Sequence, residues 1–333
     1  MRFSLSPRRV SPGWVLAASG QRQTAPSRSA CKRRHGVFSK ILVPLDGVTE
    51  PAVALTPAVT VAKATGAAVH LLTVIDAEAS PADYARIRAD LERVAAELRT
   101  HGPHVDTAVH RGKPAAEIVA AAIKLGADLV VMATHGRGGL ERAYLGSVAQ
   151  DVLATSPVPV MVLRPGGYQM TKLEVVLVAV DGSPGGALAL AAAVPLARST
   201  NARIVLVDVA VPFVAYTMMS GSAGAYYFDP AWDDEALESA KRYVSGMADR
   251  LRHAGLQAEG MAITGEPRLP STSVAEAIMR SADEVGADLI VMSTHAHTGP
   301  VRALLGSVAD TVVRTAHRPL LLPRRGGREH AAD

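Results

Sequence analysis

The sequence predicts an α/β fold of two doubly wound parallel sheets in tandem, and three observations carry that expectation. The chain has 333 residues, the length of two ordinary domains, and 48% of them are hydrophobic, enough for two cores. Aromatic residues are only 4%, a usage that suits buried parallel strands covered by Ala-rich helices better than an all-β sandwich. Most decisive, the chain repeats itself. Ile41-Leu42-Val43-Pro44-Leu45-Asp46-Gly47 returns as Val176-Leu177-Val178-Ala179-Val180-Asp181-Gly182, and Val69 to Val74 as Ile204 to Val209. Arg111-Gly112-Lys113-Pro114 then matches Thr264-Gly265-Glu266-Pro267, and Gly126-Ala127-Asp128-Leu129-Val130-Val131-Met132 matches Gly286-Ala287-Asp288-Leu289-Ile290-Val291-Met292. Leu145-Gly146-Ser147-Val148-Ala149 closes the series as Leu305-Gly306-Ser307-Val308-Ala309.

The elements follow in chain order. Short β-branched runs read as strands near 40 to 45, 68 to 75, 106 to 110, 128 to 132 and 159 to 163. Between them Ala- and Leu-rich patterns read as helices near 49 to 65, 81 to 101, 114 to 125 and 142 to 155, with Pro114 suited to a first helical turn. Strand-helix alternation implies right-handed crossovers and a parallel sheet, whose ligands sit at the carboxyl ends of the strands. The expected domains are 37–166 and 172–325, with a tail over 326–333. Residues 1–36 are expected to be a disordered basic leader or a mis-called start, the domain opening naturally at Val37-Phe38-Ser39-Lys40. Such an acid-free, Arg- and Ser-rich stretch also matches a transit peptide or an anion-binding arm.

Charge and cysteine content exclude several function classes. The formal charge is +4, but residues 1 to 40 hold nine Lys or Arg and no acid, which leaves 26 basic against 31 acidic residues, about −5, for the rest. That body has no electrostatic footprint for nucleic acid. One cysteine, Cys31, rules out a disulfide framework and a thiolate metal cluster, and a reducing, cytoplasmic setting is expected. No apolar run is long enough for a membrane span.

The chemistry-bearing stretch is Met132-Ala133-Thr134-His135-Gly136-Arg137-Gly138-Gly139, a loop after a buried strand that leads to Gly146-Ser147-Val148 at a helix start. Glycines admit an anion close to the backbone, and the unpaired N–H groups of a helix start can hold phosphate oxygens. A plain turn is the competing reading. Ala133, Gly136, Gly146 and Ser147 fall on the spacing Gly-x2-Gly-x9-Gly-Ser/Thr, and with the Asp46 strand end and the Gly-Ala-Asp-Leu-Val-Val-Met run the sequence resembles the universal stress protein family over Val37 to about Arg324. The resemblance implies a Rossmann-like, adenine nucleotide alpha hydrolase-like fold and ATP as ligand, with or without Mg²⁺. It further implies that Pro44, Asp46 and the backbone of Val74 meet adenine or ribose, and that Met132, Ala133, His135, Gly136, Arg137, Gly146, Ser147 and Val148 surround the phosphates. The second half departs further, reading Ser293, Ala296, Gly306 and Ser307 at the four positions. There Asp181, Val209, Ser293, His295, Gly306, Ser307 and Val308 are the candidates, and the Cβ atoms of Ser293 and Ala296 are expected to disfavour backbone angles open to glycine. A degenerate pseudo-site is the alternative.

His135 and His295 occupy equivalent loop positions, but no carboxylate lies at a telling distance to orient a general base, so no catalytic residue is assigned. His70, His110 and the rest show no metal spacing. Val211 to Asp234 is an insert rich in Phe, Tyr and Met that is expected to act as partner or interdomain packing, or as a lid, and Arg268 to Ser273 a shorter insert that only lengthens a loop. The leading function is therefore an ATP-binding regulatory stress protein with little or no catalysis. Alternatives are a slow ATPase or adenylate-transferring enzyme, and a nucleotide-free dimerisation module. The Ser-Gly-Gly loop and His-x-Gly-His pair expected of such enzymes are absent from the sequence. Val158 to Leu163 and Pro319 to Leu322 are edge strands expected to pair the two domains into a pseudo-dimer, and to allow a homodimer.

Overall fold

The chain falls into two units, Met1–Arg34 and His35–Asp333. A computed structural model describes residues 38–46, 53–134, 145–211, 231–265, 270–294 and 305–324, all in the second unit. The leader, the glycine loops and most of the aromatic insert thus lie outside the described residues.

The first half runs β1 (Lys40–Pro44), α1 (Leu55–Thr65), β2 (Ala68–Ile75), α2 (Pro81–Arg99), β3 (Val105–Arg111), α3 (Pro114–Leu125), β4 (Leu129–Ala133), α4 (Ser147–Thr155) and β5 (Val160–Leu163). The second runs β6 (Val175–Ala179), α5 (Pro184–Thr200), β7 (Arg203–Ala210), α6 (Ala231–His253), β8 (Ala258–Thr264), α7 (Pro270–Glu284), β9 (Leu289–Val291), α8 (Ser307–Thr315) and β10 (Leu320–Leu322). Prolines open α2, α3, α5 and α7, where a missing N–H costs nothing. Gly126 ends α3 in the left-handed region at φ 63, and Gly286 follows α7 at φ 66, which explains the repeated Gly before each Ala-Asp.

That repeated Asp is a clamp. Asp128 accepts from the backbone N–H groups of Ser39 and Lys40, at 2.8 to 3.1 Å, and so fixes the start of β1 against β4. Asp288 does the same for Glu174 and Val175 at 2.7 and 3.0 Å, and also accepts from the Tyr168 hydroxyl, which comes from the segment joining the halves. The carboxylate of Asp288 pushes the Tyr168 hydroxyl up to about 12, and the Arg318 guanidinium lies 4.9 Å from the ring centre.

The strands form one sheet in the order β3-β2-β1-β4-β5-β10-β9-β6-β7-β8. Within each half every pairing is parallel, and Ile41↔Val69 in the first half corresponds to Val176↔Ile204 in the second. The halves join through one antiparallel ladder, in which Leu320, Leu321 and Leu322 of β10 face Val162, Met161 and Val160 of β5. One core cluster on each face crosses that join. Ala58 and Val61 of α1 share a cluster with Ala189 and Ala193 of α5. Val152 of α4 shares the other with Val312 of α8. Strands buried on both faces read as continuous apolar runs, as Leu129-Val130-Val131 does.

Three boundaries differ from expectation. Val53 and Ala54 form a turn and α1 starts at Leu55, with Pro57 in its first turn, rather than near residue 49. The insert after β8 does more than lengthen a loop, because Pro270–Ser273 lies in the first turn of α7. Likewise residues 231–234 of the aromatic insert are already in α6.

Candidate functional site

In each half the strand after the third helix ends beside a helix start, and the backbone ties the two together. The Gly146 N–H donates to the Thr134 carbonyl at 2.9 Å, and Gly306 N–H to Thr294 at 2.7 Å. These bonds hold the end of β4 to the start of α4, and the end of β9 to the start of α8. They set α4 and α8 at the carboxyl edge of the sheet, where neither helix has a side-chain cap. The first amides of a helix have no intrahelical partner, so each half presents a small cluster of donors there. Gly146 has φ −60 and Gly306 φ −59, torsions open to any residue. Glycine at these positions is therefore not needed for a special conformation.

The second half frames a cleft of about 370 Å³ on this edge. Its floor is the end of β6 and β7, through Ala179, Val180, Asp181, Val207, Asp208 and Val209. Val274 and Ile278 of α7 form one wall, and Met292, Ser293, Thr294, Gly306, Ser307, Val308 and Ala309 the other. Asp181, Val209, Ser293, Gly306, Ser307 and Val308 are thus brought together as the repeat anticipates. His295 and Ala296 lie outside the described residues. The expected torsional penalty at Ser293 is not found, since Asn201 is the one described non-glycine residue with positive φ. A serine fits there without strain.

In the first half Pro44 ends β1, Asp46 follows it, and the Leu45 N–H donates to Leu72 at 2.8 Å, as the Val180 N–H donates to Val207 at 2.9 Å. Val74 lies near the end of β2, Met132 and Ala133 end β4, and Gly146, Ser147 and Val148 begin α4, so these candidates meet at one edge. His135, Gly136 and Arg137 lie outside the described residues. Among the described histidines, His110 at the end of β3 has Nδ1 3.0 Å from Glu117 of α3, a pairing that spacing alone did not reveal.

Two groups near the second cleft escaped the sequence reading. Asp208 stands where the first half has Thr73. Burial and the neighbouring Asp181 carboxylate push its carboxyl up to about 6. The signal was present as an Asp directly before Val209, within an otherwise apolar strand. Arg324, just beyond β10, donates to the Thr294 hydroxyl at 3.4 Å and to the Leu153 carbonyl of α4, and burial pulls its pKa down. Its counterpart Arg164 donates to the Thr315 carbonyl of α8 at 3.3 Å, so each half sends an arginine to the last helix of the other. Among the described residues no cluster of three or more His, Cys, Asp or Glu is placed to hold a metal ion.

The repeat, the switch-point cleft and the two helix starts agree with what comparison finds. A family model described as the universal stress protein family matches residues 38–164 and 172–324. The chain belongs to the universal stress protein family. A universal stress protein of Methanocaldococcus jannaschii is 33% identical over 149 residues, 41% of this chain and 88% of that one. One from Mycolicibacterium smegmatis is 26% identical over 258 residues, 77% of this chain and 81% of the other, so the likeness spans the tandem. The crystal structure of a universal stress protein from Archaeoglobus fulgidus superposes with a TM-score of 0.63 at 20% identity, covering 88% of this chain and 98% of that one, which shows the shared fold.

Proposed function

We propose that this chain is a regulatory stress protein of the cytoplasm that binds an adenine nucleotide, ATP with Mg²⁺ in particular, at the carboxyl edge of each half, and that acts through association rather than catalysis. The observation that carries the reading is the second-half cleft. Its volume is that of a small-molecule site, and it places a carboxylate, a strand-end backbone and an uncapped helix start on one concavity. Ser307 and Val308 would receive phosphate oxygens on their amides, and Asp181 and the backbone of Val209 would meet ribose or base. The first half would use Asp46, Val74, Gly146, Ser147 and Val148 in the same way.

The pairing of β5 with β10 supports reading the tandem as a pseudo-dimer within one chain. It also consumes the apolar edge that motivated a further homodimer, so two chains would have to meet through another surface. No helix among the described residues is long and apolar enough to cross a membrane. The direct test is to denature the purified chain and identify what it releases. Adenine nucleotide at a fixed ratio to protein, regained on dialysis against MgATP, is the expected result. No release, together with no heat on titration with MgATP, would overturn the reading in favour of a nucleotide-free association module.

A further inference from the structure

The two halves differ most in chemistry at one position of the second strand. In β2 it is Thr73, 3% exposed, with its Oγ1 buried and without a hydrogen-bond partner. In β7 it is Asp208, which lines the cleft beside Asp181. Adjacent strand ends thus bring Asp181 and Asp208 to one concavity. The groups that face them are the Ser183 N–H, which donates to Asp181 Oδ1 at 3.0 Å, the Val209 backbone, which hydrogen-bonds the Asp208 carboxyl, and Tyr243 of α6, whose pKa is pushed up by burial and by both carboxylates. Arg250 acts on Tyr243, and Arg324 stands behind Thr294 on the opposite wall. Among the described lining residues none is Lys, Arg or His, so nothing cationic on that floor offsets the pair.

An ionised carboxylate accepts hydrogen bonds and cannot donate. A ligand edge that carries donors gains charge-assisted bonds from it, while an acceptor edge is repelled. We propose that Asp208 is the specificity-determining residue of the second-half cleft, selecting a nucleoside by its hydrogen-bond donors, the ribose hydroxyls or the exocyclic amine of adenine, and making binding there release a proton. The inference rests on the nucleotide reading above. The sign follows from the charge state. Near its raised pKa of about 6 Asp208 is partly protonated in the free protein, and a donor-bearing ligand favours the carboxylate, so affinity at this site rises with pH. The first half, with a hydroxyl at the same position, has no such response from this residue.

The test is titration calorimetry of the full chain with MgATP between about pH 5 and about pH 7.5, in buffers of different ionisation enthalpy. One of two binding events should tighten about fivefold across that range, the change that a one-unit fall in the Asp208 pKa on binding produces there. It should release protons, and lose both properties in Asp208→Thr and in the near-isosteric Asp208→Asn. Inosine triphosphate lacks the amine, and 2′,3′-dideoxy-ATP lacks the ribose hydroxyls. Loss of proton release with one of them names the donor, and retention with both overturns the inference. Two events that are both insensitive to pH and to the variants overturn the inference alone. A single event at every pH overturns it together with the second half's share of the nucleotide reading, and no event at any pH overturns the nucleotide reading itself.

Discussion

The two halves reach one backbone arrangement from unequal signatures, and the inequality is informative. The first keeps three of its four signature residues, Gly136, Gly146 and Ser147, and varies only Ala133. The second has Ser293 and Ala296 where glycines are expected, yet its described edge forms a cleft lined by the anticipated residues. Ser293 sits there with an ordinary φ, and Gly306 has a torsion that any residue adopts. The glycines at the described positions do not make a fold that only glycine can make. Loss of a glycine in such a loop is therefore a statement about ligand shape before it is one about stability.

The largest expected effect that sharpens this comparison concerns the clamps. Asp288 is 2% exposed and serves two amides and the Tyr168 hydroxyl. Asp288→Ala leaves those donors without their acceptor and should cost about 3 to 4 kcal/mol in urea denaturation. Asp128→Ala uncovers more solvated amides and should cost about 1 to 2 kcal/mol. Equal losses would show that the joining segment adds nothing to the second clamp.

Next comes Asp208. Its folded pKa of about 6 lies above the ordinary aspartate value of 3.8. Its stabilising contribution is thus fully present below about pH 4 and is lost as pH rises through about 6. Asp208→Thr should flatten stability across that window and raise it by roughly 1 to 2 kcal/mol at neutral pH, a figure reduced because the carboxyl is partly solvated. A variant no more stable than the parent at neutral pH would contradict the burial argument. Thr73→Val in the other half removes a buried hydroxyl that lacks a partner, and should stabilise the chain by about 1 kcal/mol. Should the same change weaken nucleotide binding, the hydroxyl serves the ligand. Smallest of all, Ser293→Gly should lower the melting temperature by about 2 °C, the cost of added chain freedom in the unfolded state, and shift affinity more than stability, since no positive φ is relieved there.

Much of this was legible in the sequence because repetition and periodicity are local signals. The apolar runs Ile41 to Val43 and Leu129 to Met132 announced buried parallel strands, and Pro114 announced a helix start. Gly126-Ala127-Asp128 announced a boundary but not its purpose, because the bonds from Asp128 to Ser39 and Lys40 span 89 and 88 residues. Separation in sequence also hid Arg324, whose partners Leu153 and Thr294 lie 171 and 30 residues away. Asp208 was readable as an oddity inside an apolar strand, but its carboxyl became chemistry only when β6 brought Asp181 beside it. The start of α1 was misplaced because propensity continues through residues 49 to 54, where the described backbone turns instead at Val53 and Ala54.

The central claim is that the second half is a working site despite its altered loop. The stoichiometry of MgATP binding to the whole chain, compared with that of Gly306→Trp, tests it most directly. Two nucleotides per chain falling to one in the variant, with the melting temperature unchanged, is the predicted result. One nucleotide per chain, unaffected by the tryptophan, would contradict it.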